Sequence, residues 1–300
     1  MRASSGLDGI LLIDKEGGWT SHDVVAKVRG ITRQRKAGHT GTLDPMATGL
    51  VVVCLGQATR LVEYMTAHDK RYTGVVQLGV QTDTDDAEGV AVAEAPVPPA
   101  GEWDLAVMEG RFTGTLSQLP PAYSALKVDG KRAYAVARAG GVPELHTRLV
   151  VVHALALRAL DDTRLSIDVH CGPGTYIRSM ARDIGALLGC GGHLAALRRV
   201  SAGGFSLTDA VTLDGLATLA AEGKVGEAII PMDEGMLTTP AAIVGAGRSA
   251  LLRQGQRLGA IVPFVPTAVA RVYDSLGDFI AIGSVDDEGT LKPSKVFAQP

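Results

Sequence analysis

Asp44 has the setting in this chain that most suggests chemistry. It lies in GHTGTLDPMATGL, residues 38–50, where Gly38, Gly41 and Gly49 bracket one carboxylate and Pro45 biases it toward an extended backbone. The apolar run VVVCL follows at once, so the loop leads into a buried strand. Glycine admits tight turns and close approach of another molecule's backbone, and a carboxylate fixed in such a loop is a candidate catalytic group. An Asp-Pro pair also initiates turns on its own account. Far downstream, Arg178 and Arg182 stand four apart in GPGTYIRSMARDIGALLG and so share one side of a helix. A guanidinium near a helix start gains nothing from the macrodipole, which favours anions there. Arg178 therefore needs an anionic partner: Asp44, a phosphate, or an ordinary structural carboxylate. Tyr72, at the start of RYTGVVQLG, can pack in the core or lie over a ligand.

Two basic clusters suit a polyanion. Lys27, Arg29, Arg33, Arg35 and Lys36 precede the Asp44 loop with no acid among them, and Lys127, Lys131, Arg132, Arg138 and Arg148 form the second. The net charge of -3 argues against a uniformly basic surface, but phosphates respond to the local field. Either cluster alone also reads as a solvated face. QTDTDDAEG concentrates Asp83, Asp85, Asp86 and Glu88 but lacks the spacing of a calcium loop, so it reads as an acidic hairpin turn, with no metal expected. The cysteines Cys54, Cys171 and Cys190 form no CxxC pair and read as small core side chains.

The elements that must position these residues follow from patterning. The 300 residues suffice for one large domain and a small one, and 46% hydrophobic with 20% charged content is that of an ordinary globular chain. No apolar run reaches the roughly 20 residues that cross a bilayer, and MRASSGLDG lacks an apolar signal region, so a cytoplasmic protein is expected. GILLID is a strand. Thr20 and Asp23 form a capping box ahead of Val24, Val25, Val28 and Ile31 at helical spacing. A strand over 50–55, a helix over QATRLVEYM and the strand RYTGVVQLG follow. After the Pro-rich APVPPAGEW come a short helix with Leu105, Met108 and Phe112 on one face, then a protruding arm in which Tyr123 and Tyr134 alternate with basic residues. Two strands, RLVVVHALALRAL and LSIDVHC, lead to the Arg178 helix, and GGHLAALRRVSAGGF reads as loop and strand.

Five segments carry a resemblance in order: GHTGTLDPMATGLVVVCLGQATR, KRYTGVVQLGVQTDTDDAEG, LPPAYSALKVDGKRAYAVAR, GTYIRSMARDIG and LRRVSAGGF. Together they resemble the bacterial TruB family of tRNA pseudouridine synthases, over Gly9 to Asp233. More weakly, LLRQGQRL, GDFIAIGSVDDEG and LKPSKVF resemble a PUA domain, while TTPAAIVGAGRSA departs from that pattern. The resemblance implies an α/β (α+β) catalytic domain over 1–232, with a mixed, largely antiparallel sheet and a mobile RNA-binding arm at 120–148. A small β-barrel-like PUA domain is implied over 233–300.

It also implies roles. Asp44 matches the catalytic aspartate, Tyr72 the tyrosine that stacks on the target uracil and takes part in proton transfer, and Arg178 the arginine that pairs with the aspartate. Leu197 matches a pocket leucine, and His39 a histidine that enters the opened T-loop. Tyr176, Gly41, Thr42 and Lys15 fall at the substrate, with Lys127, Lys131 and Arg132 gripping RNA. The implied reaction isomerises the T-loop uridine at tRNA position 55 without metal, organic cofactor or guide RNA, by a monomer. A close arginine lowers a carboxyl pKa by about 1–3 units, so Arg178 is expected to keep Asp44 charged in a closed pocket.

Overall fold

A computed structural model describes residues 6–124, 127–128, 131–132, 136, 141, 143–259 and 265–297, with the side chains of 127, 128, 131 and 132 excluded. The strands in chain order are β1 (Gly9–Lys15), β2 (Ala37–His39), β3 (Thr48–Leu55), β4 (Lys70–Leu78), β5 (Val80–Thr82) and β6 (Ala91–Glu94). Then come β7 (Gly114–Gln118), β8 (Lys127–Val128), β9 (Lys131–Arg132), β10 (Arg148–Ala159), β11 (Arg164–Cys171), β12 (Gly192–Ala202) and β13 (Phe205–Ser206). The C-terminal strands are β14 (Ala241–Val244), β15 (Thr267–Asp274), β16 (Phe279–Val285) and β17 (Leu291–Val296).

One sheet runs β1-β3-β12-β4-β11-β10-β7, with β2 beside β3 and β13 beside β12. Its pairings are antiparallel except β3 with β12, where Arg198 and Arg199 lie level with Thr48 and Gly49. The expected mixed, largely antiparallel sheet is what forms. Its central strands are apolar on both sides for a reason: Val51, Val53 and Leu55 enter one core with Leu11 and Ile13. Leu50, Val52 and Cys54 enter a second core with Ile10 and Leu12. A strand covered on both faces reads as a continuous hydrophobic run, hence VVVCL.

The helix Ser21–Thr32 starts with the expected capping box between Thr20 and Asp23 and buries Val24, Val25 and Val28. The segment over QATRLVEYM is not one helix: a 3-10 turn, Gly56–Leu61, hands over to a short α-helix, Val62–Thr66. Strand β12 is longer than the loop and strand expected. Its register against β4 shifts between Leu194 and Ala196 and again between Arg199 and Ser201, and these bulges break the period-two pattern. All three cysteines are buried and free.

The C-terminal sheet, β14-β15-β16-β17, pairs β14 with β15 in parallel and the rest antiparallel. It packs on the main body, since Ile282 and Phe297 join the core that holds Ile10 and Leu50. The Arg60 guanidinium lies 5.3 Å from the Phe297 ring centre and donates to the Val296 carbonyl. The arm expected at 120–148 lies partly outside the described residues; its centre is described in backbone only, by the pair β8 with β9.

Candidate active site

The loop carrying Asp44 is pinned from below by four side chains or backbone groups. At the start of the helix Ser21–Thr32, the Ser21 hydroxyl accepts from the Leu43 N–H at 2.7 Å. The Gly18 N–H and the Lys15 amine both donate to the Pro45 carbonyl, at 2.9 and 3.0 Å. Arg199 donates from Nε to the Leu50 carbonyl at 2.7 Å and from Nη2 to the Gly41 carbonyl at 3.1 Å. Of the three bracketing glycines, Gly49 alone has positive φ, +98°. A Cβ there would lie 2.3 Å from the Arg199 carbonyl oxygen, so glycine is required where β3 meets β12.

Arg178, in the helix Ile177–Leu187, reaches the loop as an ion pair: Nη2 donates to Asp44 Oδ1 at 3.0 Å, and Nε stands 2.9 Å from Oδ2 without the angle of a hydrogen bond. The guanidinium is buried. It also donates to the Thr84 and Tyr123 carbonyls, both at 2.9 Å, and stands 3.3 Å from Asp86 Oδ2. Arg182, one turn along, pairs with Asp85 at 2.9 Å. The hairpin reading of QTDTDDAEG holds for the backbone, since β5 and β6 pair antiparallel. The signal missed was that Asp85 and Asp86 turn inward, Asp86 being 3% exposed. Four-residue spacing of the two arginines was the available clue to two acidic partners.

Asp44 opens into a cavity of about 280 Å³. Its lining includes Gly41, Thr42, Asp44, Tyr72, Tyr176, Arg178 and Leu197, so seven of the expected site residues are brought together. Lys70, Arg148 and Arg199 line it too, which makes the cavity basic around one carboxylate. The Arg148 guanidinium lies 4.6 Å from the Tyr176 ring centre and donates to the Gly174 carbonyl, bracing the lip. Leu197 faces Gly74 across β12 and β4, and a Cβ at Gly74 would lie 3.5 Å from its Cδ1. Arg199 and Lys70 were not foreseen here. Lys70 donates to the Thr66 and His68 carbonyls, and burial, with Arg199 adding, pulls its amine down to about 8.

Two expected site residues stand elsewhere. Lys15 is wholly buried under the loop, where its amine donates to the Pro45 and Glu16 carbonyls, and it is not among the cavity-lining residues. Burial brings its amine down to about 8 against the opposing pull of Glu88 and Asp44. His39 lies on β2, outside the cavity lining, with its ring edge-on to His22 at 5.2 Å between centres. Burial, with help from His22 and Arg199, lowers it to about 4, so it is neutral at physiological pH. The side chains of Lys127, Lys131 and Arg132 lie outside the described residues.

Burial raises the Asp44 carboxyl above its usual value; Arg178 opposes this and Asp86 adds to it. The arginine thus offsets the cost of enclosure without overturning it, which refines the expectation of a depressed value. Tyr72 is buried and its phenol is raised by that burial, with Arg199 pulling the other way. Tyr72 is therefore a neutral ring at neutral pH.

The family model for the TruB family pseudouridylate synthase N-terminal domain matches residues 29–177. Models for the tRNA pseudouridylate synthase B C-terminal domain and for the pseudouridine synthase II TruB C-terminal region match 178–237 and 240–297. A relative from Aromatoleum aromaticum, tRNA pseudouridine synthase B, is 43% identical over 97% of this chain and 93% of its own. The chain belongs to the TruB family. A second relative of the same description, from Pseudomonas aeruginosa, is 40% identical over 99% of this chain and 98% of its own. Among solved structures, the archaeal box H/ACA sRNP Nop10-Cbf5 complex contains a chain of the same fold. Its TM-score is 0.73, with 24% identity over 97% of this TruB-family chain and 86% of that one. The C-terminal sheet is consistent with a PUA-like domain.

Proposed function

We propose that the chain is a tRNA pseudouridine synthase that isomerises the T-loop uridine, and that Asp44, Tyr72 and Arg178 carry the reaction. The observation that carries this reading is the Asp44 carboxylate, clamped by buried Arg178, opening into a basic cavity that Tyr72 also lines. The relatives described as tRNA pseudouridine synthase B span almost the whole chain, which supports the reaction class and the tRNA substrate.

The chemistry asks for what the cavity contains. The N1 to C1' bond breaks, the uracil turns while still bound, C5 joins C1', and the C5 proton leaves as N1 gains one. No atom is lost overall. An ionised carboxylate facing C1' and C6 serves as nucleophile or as base and charge stabiliser. Arg178 holds Asp44 by one hydrogen bond, from Nη2 to Oδ1, and by the close charge contact of Nε with Oδ2. A T-loop base must leave its stack at a cost of a few kcal/mol. Stacking on Tyr72, at about 1–3 kcal/mol per base, returns much of it. Leu197 fills the apolar side of the same cavity.

The proposed organisation is a catalytic domain over 1–232, with an RNA-gripping arm at 120–148, and a PUA-like domain over 233–300. The proposed setting is a cytoplasmic monomer acting on tRNA without guide RNA. Among the described residues, no helix is long and apolar enough to cross a membrane. The test is incubation of the pure chain with a T-stem-loop transcript alone, followed by mass spectrometry or carbodiimide mapping. Pseudouridine at the T-loop uridine supports the proposal, and its absence with a folded protein overturns it.

A further inference from the structure

Away from Asp44, three side chains from three segments converge on one point of the surface. Asp69 ends the turn before β4 and is anchored where the Gly203 N–H donates to its carbonyl at 2.8 Å. His153 sits on β10 where the register against β11 slips between Val152 and Ala154, and that irregularity brings it next to His170 of β11. His153 Nε2 is 3.2 Å and His170 Nε2 3.9 Å from the same Asp69 oxygen, Oδ2, and the two rings are 4.8 Å apart. All three donor atoms lie within 4.8 Å of one another.

We propose that Asp69, His153 and His170 form a divalent transition-metal site, of the kind that takes Zn²⁺. Two imidazoles and a carboxylate are the donor set this borderline-soft ion accepts. In a tetrahedral centre with bonds of about 2.0–2.1 Å, neighbouring donors stand roughly 3.3 Å apart. The separations of 3.2 and 3.9 Å bracket that edge, and His170, with 45% of its side chain exposed, has room to close the rest. Both ring nitrogens approach the same Asp69 oxygen, so the three groups share one point rather than forming two separate pairs. The nearby cations are already engaged: Arg71 makes two bonds to Asp168, at 2.8 and 2.9 Å, and the Lys70 amine is turned to the Thr66 and His68 carbonyls. Three protein ligands leave the fourth position to solvent, so the ion is exchangeable.

Its consequence is mechanical rather than catalytic. Lys70 follows Asp69, Gly172 lies two residues beyond His170, and both line the cavity. An ion here ties the Thr66–Lys70 turn to the strand that runs into the Gly172–Gly174 lip.

Isothermal titration of the tag-free full chain with Zn²⁺ tests this, alongside thermal melts with and without the ion and the absorption spectrum of the Co²⁺ form. Expected for the parent chain are one equivalent bound, a raised melting midpoint and tetrahedral cobalt bands. His153→Ala and His170→Ala should each weaken binding at least tenfold and lose the midpoint shift, while circular dichroism and zinc-free pseudouridine formation stay at the parent level. Absence of saturable binding to the parent chain overturns the proposal. So does binding that survives undiminished in both variants, because the ion then sits elsewhere.

Discussion

Arg178 is shared between two carboxylates: its Nε is 2.9 Å from Asp44 and its Nη1 3.3 Å from Asp86. One buried cation thus sits between two acids that would otherwise repel, and its fork geometry fixes which oxygens face the cavity. Arg178→Lys keeps a charge but not the fork. The expected result is a fall in kcat of roughly 10²-fold or more with tRNA affinity little changed. Arg178→Met, which leaves both acids unpaired, should cost about 3–5 kcal/mol of stability by chemical denaturation. A lysine variant with parental kcat would show that the clamp has no part in the reaction.

The raised Asp44 carboxyl sets the acid side of the pH profile. The ionised form is the reactive one, so the rate falls as pH drops through the folded-state value. That limb should lie above the ordinary aspartate value of about 3.9. Asp86 contributes to the rise through like charge, so Asp86→Asn should move the limb to lower pH. Single-turnover rates against pH, on variants shown to be folded, read this directly. An unmoved limb would mean that Asp44 is not the titrating group.

Asp44→Asn should abolish pseudouridine formation while the chain still folds and binds tRNA. The amide keeps the shape of the side chain and can still accept one bond from Arg178, so the loop held by Ser21, Lys15 and Arg199 stays in place. Filter binding and product mapping on the same preparation separate the two effects. An active asparagine variant would sink the assignment.

Tyr72 offers a ring and a hydroxyl, and two substitutions tell them apart. Tyr72→Ala removes the stacking platform and should lose about 1–3 kcal/mol of substrate interaction per base. Tyr72→Phe keeps the platform and should leave tRNA affinity near the parent value while slowing the chemical step, if the phenol carries the proton. Equal affinity in the alanine and parent proteins would remove Tyr72 from the stacking role.

Local signals told the sequence reader a good deal, and long-range ones little. The Thr20–Asp23 capping box, the strand GILLID and the apolar VVVCL depend on neighbours a few residues away, and each forms as expected. That Arg178 wanted an anion was legible from its place in the helix. That it takes Asp86 as well as Asp44 was not, because the acidic turn and the helix meet only through sheet order. Arg199 is harder still. A buried guanidinium bonded to the carbonyls of Gly41 and Leu50 leaves no pattern, since backbone acceptors exist at every position. Lys15 is likewise silent in the sequence about its packing: its amine is the prop beneath Pro45, a backbone carbonyl thirty residues away.

The basic arm gives a prediction that rests on charge alone, since the side chains concerned lie outside the described residues. Lys127, Lys131 and Arg132 fall close together in sequence, and Arg148, further along the chain, lines the cavity. Reversing all three to Glu should weaken tRNA binding at low salt by far more than at high salt. Each lost phosphate contact removes roughly 0.7–0.9 from the slope of log affinity against log salt, so three contacts should flatten it by about two to three units. Filter binding across a salt series measures the slope, and kcat at saturating tRNA should change little because the Asp44 cavity is untouched. A parental slope in the triple variant would mean that the segment does not grip the phosphate backbone.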